Sequence, residues 1–207
     1  MLAEHDVRDA TERAAARTGS LEAADIRAGV ALARGKDHPV MPAVITMGEV
    51  GSWQALLAMS AGTLAWGLLT RDRALAETGG RMLAAGTLAS LVKTSLKRTL
   101  HRTRPNVLMD TGRYARGPFG PNDGPWQSFP SGHAALSVAV ARAVARARPG
   151  LSGPAYATAA GVVAVQLVRG AHFPADVAAG ALIGLAAEAA TDRLVSARLP
   201  QRAEQAP

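Results

Sequence analysis

Residues 51–70 read GSWQALLAMSAGTLAWGLLT, a run of twenty positions without a charge. A helical rise of about 1.5 Å per residue carries such a run across roughly 30 Å, the thickness of a bilayer core. Trp53 and Trp66 stand near its ends, where indole rings anchor at a membrane interface. It is the strongest membrane-span candidate in the chain. The other apolar runs are shorter or flanked by charge. Residues 83–92 are followed by Lys93 and Lys97, and 134–141 by Arg142 and Arg146 at i,i+4 spacing; 153–168 and 177–187 complete the set. Gly180 and Gly184 form a G-x-x-x-G, a pattern that lets helix backbones approach closely. Short apolar helices also build the core of a soluble bundle, and it is the uncharged run that weighs toward a membrane.

Hydrophobic residues make up 48% of the 207 residues and aromatics only 4%, with no sustained period-two run of β-branched and aromatic residues. The expected class is therefore all-α: a helical bundle, membrane-embedded, with about five apolar helices. Three segments follow. Residues 1–39 form a polar helical arm, interrupted at Thr18-Gly19-Ser20, with Leu21, Ile26 and Val30 as a narrow apolar face; it reads as a surface-lying or a soluble arm. Residues 40–192 hold the apolar helices, and 193–207 form a polar tail. Charges stud residues 1–36 where the apolar core of a signal peptide would sit.

The net charge of +7 suits anionic partners. No basic tract interleaved with aromatics and no reading-helix motif points to nucleic acid, so the expectation is an anionic lipid or a phosphorylated substrate. Cysteine is absent, which excludes disulfides and thiolate chemistry. Residues 106–128, NVLMDTGRYARGPFGPNDGPWQS, read as a long irregular loop, unusual between helices unless it does something, such as covering a site.

Three short motifs carry chemistry. In SFPSGHA, residues 128–134, Ser131 is a good helix N-cap and Gly132 admits a ligand close to the backbone. A helix start there aims free N–H groups and the positive dipole end at an anion, with His133 in the first turn beside it. In KRTLHRTRP, residues 97–105, Lys97 closes one helix and Arg104 leaves it. A lysine supplies a point charge and an arginine a fork matching two phosphate oxygens. In VRGAHFPADVAAG, residues 168–180, Asp176 follows His172 by four and can accept one imidazole N–H, leaving the other nitrogen free to attack. Taken singly, these are also an ordinary cap, a basic helix terminus and a dipole-stabilising aspartate. Lys-x6-Arg-Pro, Pro-Ser-Gly-His and His-x3-Asp, each at a helix end, are hard to explain together as accidents. Alternating helix directions bring all three ends to one side of a bundle.

On these motifs the chain resembles the type 2 phosphatidic acid phosphatase superfamily over roughly residues 40–190. Lipid phosphatases, soluble acid phosphatases and vanadium haloperoxidases share that superfamily's core site. The resemblance implies that His172 is the nucleophile forming a phosphohistidine, Asp176 its orienting partner and His133 the general acid. Lys97, Arg104, Ser131 and Gly132 form the phosphate cradle, and no metal or other cofactor is called for. One position departs from the pattern. The family's Ser-Arg, with arginine six residues before the nucleophilic histidine, is here Val165 and Gln166. Gln166 donates hydrogen bonds without charge, and Arg169, three before His172, is placed to reach the same oxygens; alternatively it snorkels to the interface.

The resemblance thus implies a metal-independent phosphatase acting on lipid phosphate monoesters or polyprenyl diphosphates at a bacterial cytoplasmic membrane. Its sidedness stays open, because only five helices are expected where membrane members usually have six. The alternatives are a phosphate-binding membrane protein with weak or lost turnover, and a soluble small-molecule acid phosphatase. A haloperoxidase fits least, the chain being short.

Overall fold

A computed structural model of the chain describes residues 2–198. Helix α1 (Glu4–Ala16) and helix α2 (Ser20–Leu32) form a hairpin that opens the chain. Its inner face, Ala10, Ala14, Ile26, Val30 and Ala33, is buried against Leu108, Met109 and Phe173. The narrow apolar face expected around Ile26 and Val30 thus faces protein, and Leu21 stands exposed beside it. Short helix α3 (Met41–Gly48) and a 3₁₀ turn, Glu49–Gly51, lead into the bundle.

Five helices make the bundle: α4 (Trp53–Leu69), α5 (Arg73–Thr99), α7 (Gly132–Ala147), α8 (Ser152–Val168) and α9 (Pro174–Arg198). Ser52 caps α4 by accepting the Ala55 N–H, and Asp72 caps α5 by accepting the Leu75 N–H. Their shared core is built from Leu56, Met82, Ala85, Ala89, Ala135, Leu136, Ala139, Val140, Ala143 and Ala187. So many alanines keep the helices close, and α7 lies in the middle. The G-x-x-x-G does its expected work at this point. A Cβ on Gly180 would come 2.4 Å from the Ser131 carbonyl, and one on Gly184 2.4 Å from the Ala135 carbonyl, so α9 lies directly on the first two turns of α7.

The segment read as a long irregular loop is more ordered than expected. It contains helix α6 (Pro105–Thr111), entered through Pro105 at its first position, and strand β2 (Arg116–Pro118). Strand β2 pairs antiparallel with β1 (Leu100–Arg102). This two-stranded ribbon is a small addition to an otherwise all-α fold. Three-residue strands are too short to leave a period-two signature.

The five helices of the bundle differ in apolar character from one to the next. Among the described residues only Pro149–Val168 is long and apolar enough to cross a bilayer, with mean hydropathy 1.4, and Trp53–Leu69 is a shorter apolar helix. Helices α5, α7 and α9 carry charge paired inside the bundle, away from the motifs. Buried Glu188 accepts Arg142 Nε at 2.6 Å and Arg146 Nε at 2.7 Å, while Arg81 Nη1 meets Asp192 at 2.7 Å. The i,i+4 arginines of α7 thus face one carboxylate. Residues 193–198 of the expected polar tail continue α9, and the rest of that tail lies outside the described residues.

Candidate active site

His172 sits in the turn between α8 and α9, with 3% of its surface exposed. Its Nδ1 lies 2.7 Å from the carbonyl oxygen of Ser128. A carbonyl only accepts, so Nδ1 carries the proton and Nε2 keeps its lone pair. Burial foremost, with Lys97 and Arg104 nearby and the Ser128 carbonyl opposing them, holds this imidazole well below its ordinary pKa. It is therefore neutral at pH 7, as a nucleophile must be.

The spacing His172-x3-Asp176 does not give the direct contact expected of it. Asp176 Oδ2 is 4.0 Å from Nδ1. The carboxylate is engaged elsewhere. Oδ2 accepts the Ser128 hydroxyl at 2.5 Å and the Phe173 N–H at 2.8 Å, and Oδ1 meets Arg102 Nη1 at 2.8 Å. The Phe173 contact is a side chain at the third helical position reaching back to the N-cap amide of α9, a local geometry that competes with the histidine. The backbone carbonyl of Ser128 takes the hydrogen bond instead, and Asp176 holds both Ser128 and the turn bearing His172.

The other motifs converge on this turn. Ser131 caps α7 through the Ala134 N–H, and its own N–H donates to the Asp176 carbonyl at 3.0 Å. Gly132 opens α7, and a Cβ there would lie 3.6–3.8 Å from the end of Lys93. Lys97, in the last turn of α5, donates to the Gln127 carbonyl at 2.6 Å. Arg104 caps α6, and its Nε is buried without a hydrogen-bond partner among the described residues. The Nε2 of His133 is buried and unpaired in the same way, 3.9 Å from Glu49. Such orphaned polar atoms are rare in a settled structure, and a phosphate oxygen matches the donors among them.

Around the departure from the family pattern, the two substitutes behave differently. Gln166 is fully buried near the end of α8, and neither amide atom has a partner among the described residues. Arg169 directs Nη1 to Glu49 at 3.2 Å, the same Glu49 that lies beside His133. Glu49 thus stands between Arg169 and His133.

Lys93, Arg102 and Glu49 are among the side chains here that no motif marks. Lys93 lies one helical turn before Lys97, and that spacing could have marked it. Arg102 sits inside KRTLHRTRP and meets two carboxylates far from it in sequence, Asp25 before it and Asp176 after it. Glu49 belongs to no motif, and nothing local signals it. Among the described residues no group of three or more His, Asp or Glu side chains converges as a metal site would.

The family model of the PAP2 superfamily matches residues 78–199. The chain belongs to this superfamily. Two lipid A 1-phosphatases are similar to it. That of Rhizobium johnstonii is 28% identical over 138 residues, 64% of this chain and 56% of the relative; that of Rhizobium etli is 31% identical over 106 residues, 51% and 45%. The chain spans about half the length of these curated relatives. Among solved structures, the PAP2-type phosphatidylglycerolphosphate phosphatase of Bacillus subtilis has a TM-score of 0.63 at 19% identity, covering 93% of this chain and 95% of that one. Aquifex aeolicus LpxE has a TM-score of 0.59 at 22% identity, covering 79% and 92%. Both likenesses concern the PAP2 fold.

Proposed function

We propose that this PAP2-superfamily chain is a metal-independent phosphatase that releases inorganic phosphate from a lipid phosphate. The observation that carries the reading is the 2.7 Å contact from His172 Nδ1 to the Ser128 carbonyl, which frees Nε2 beside Lys97 and Arg104. In the first step Nε2 of His172 attacks phosphorus, forming an N–P bond as the P–O bond to the lipid breaks. Burial foremost, then the Arg169 charge, pushes the His133 imidazole down to about 4 in the substrate-free protein. It therefore takes up its proton together with the phosphate dianion, whose charge favours the imidazolium, and then gives that proton to the departing alkoxide. Water then attacks the phosphohistidine with His133 as base, breaking the N–P bond and returning His172 to neutrality. Lys97, Arg104 and the N–H groups at Gly132 stabilise the equatorial oxygens, a purely electrostatic contribution.

The substrate class follows from two supports. The relatives named above are lipid A 1-phosphatases, and a fold neighbour is a phosphatidylglycerolphosphate phosphatase, which favours a lipid-linked phosphate. Exposed Trp53, Leu57, Trp66, Leu68 and Leu69 on α4, with apolar α8, suit a chain embedded in a bacterial membrane and meeting its substrate at bilayer level. Phosphate monoesters and polyprenyl diphosphates both fit this reading. Residues 40–192 would form the catalytic unit, with the arm 1–39 packed against it. The test is phosphate release from a panel of short-chain lipid phosphates in detergent, in the presence of chelator. Release that persists in His172→Ala would refute the mechanism.

One observation favours a second reading, a phosphate-binding protein with weak turnover: Gln166 brings no charge, and Arg169 is shared with Glu49. Under that reading the wild type binds vanadate without releasing phosphate, and Gln166→Arg creates release.

A further inference from the structure

The polar arm reaches the base of the candidate site through one buried arginine. Arg102, 7% exposed, lies between two carboxylates: Nη1 is 2.8 Å from Asp176 Oδ1, and Nη2 is 2.7 Å from Asp25 Oδ2. A third carboxylate, Glu22, stands 4.0 Å from Nη2 and is itself neutralised by Arg116 Nη1 at 2.7 Å. Asp25 belongs to α2, outside the residues matched by the family. Its other oxygen accepts the Ala175 N–H at 2.8 Å, in the first turn of α9 and one residue before Asp176. The arginine is held on its remaining sides as well. Its Nε donates to the Tyr114 hydroxyl at 2.9 Å, and its guanidinium carbon stands 4.2 Å from the centre of the Phe173 ring. Phe173 is itself pressed against α2, where a Cβ on Gly29 would come 2.3 Å from its ring.

We propose that Asp25 is a positioning residue of the reaction, sharing Arg102 with Asp176 so that Asp176 keeps net negative charge toward His172. A guanidinium paired with one carboxylate forms a neutral unit. Placed between two, it leaves the group with one negative charge, a short distance from the imidazole that becomes cationic when Nε2 bonds to phosphorus. Asp25 touches neither substrate nor His172. It acts through Arg102 on charge and through Ala175 on the angle at which α9 presents Asp176. The arm is thereby part of the site.

This inference rests on the phosphatase reading, and the full chain tests it with short-chain phosphatidic acid in detergent. Asp25→Asn removes the charge with little change of shape. The expected result is a fall in kcat of roughly tenfold or more, with KM within about twofold, because only charge development is affected. Asp25→Ser still accepts from Ala175 while removing the charge, so it reports the same fall if the asparagine variant is poorly folded. Asp25→Glu restores most of the rate. Glu12→Gln is the control, since it breaks the exposed Arg27–Glu12 pair on the same arm without touching Arg102. Wild-type kcat in Asp25→Asn or Asp25→Ser overturns the proposal, as does an equal fall in Glu12→Gln. A wild type that releases no phosphate tells against the phosphatase reading instead.

Discussion

Nδ1 of His172 lies 2.7 Å from the carbonyl oxygen of Ser128, while the nearest oxygen of Asp176 is 4.0 Å away. The tautomer is therefore set by the main chain, and the carboxylate acts one step removed. The two partners should separate under mutation. Ser128→Ala keeps the carbonyl and loses only the hydroxyl that meets Asp176, so kcat should fall about tenfold or less. Asp176→Asn loses the charge opposite the developing imidazolium and should cost about a hundredfold or more. Steady-state phosphate release by purified variants checks both, and equal losses would place the tautomer control on Asp176 after all.

Arg169 is the arginine nearest in sequence to the departure at Gln166. If it carries the missing charge, Arg169→Gln lowers kcat by about a hundredfold, the order found for removing one preorganised donor. The double variant Arg169→Gln with Gln166→Arg then recovers a large part of that loss. The measurement is kcat for the three variants side by side. No loss in Arg169→Gln would assign Arg169 to the Glu49 ion pair alone.

The buried imidazole also makes stability depend on pH. The folded pKa of His172 is well below the ordinary 6.5, chiefly through burial. Between those two values the unfolded chain binds the extra proton, so its contribution to stability is fully present above about pH 6.5 and is lost as pH falls toward the folded pKa. The melting temperature of the wild type should decline more steeply from pH 6.5 to 5 than that of His172→Gln. Parallel slopes would contradict the assignment.

Close packing of α9 on α7 positions Ser131 against Asp176. Gly180→Ala forces a Cβ toward the Ser131 carbonyl, 2.4 Å away, and should cost about 1–3 kcal/mol with a loss of phosphate release. Gly161→Ala, where a Cβ meets nothing within 4 Å, should leave stability unchanged or raise it by up to about 1 kcal/mol. Thermal melting and activity of the two variants supply the comparison.

What could be read from the sequence was local. Lys97, Arg104, Ser131, His133, His172 and Asp176 each sit at a helix end with short spacing to their motif, and helix direction alone brought those ends together. Atoms of the main chain and distant pairs were out of reach. Ser128 acts on His172 through its carbonyl, which any residue type would provide. Asp25 meets Arg102 across 77 positions and Glu49 meets Arg169 across 120, and no periodicity spans such gaps. Charges on α5, α7 and α9 pair inside the bundle, a compensation visible only in three dimensions.

In the proposed mechanism His172 becomes phosphorylated during turnover. Rapid quenching with a 32P-labelled lipid phosphate, followed by alkaline gel electrophoresis to preserve an acid-labile N–P bond, tests it directly. Labelled wild-type protein whose label is acid-labile and absent from His172→Ala is the predicted result. Phosphate release at the wild-type rate by His172→Ala, with no labelled intermediate in either protein, would contradict it.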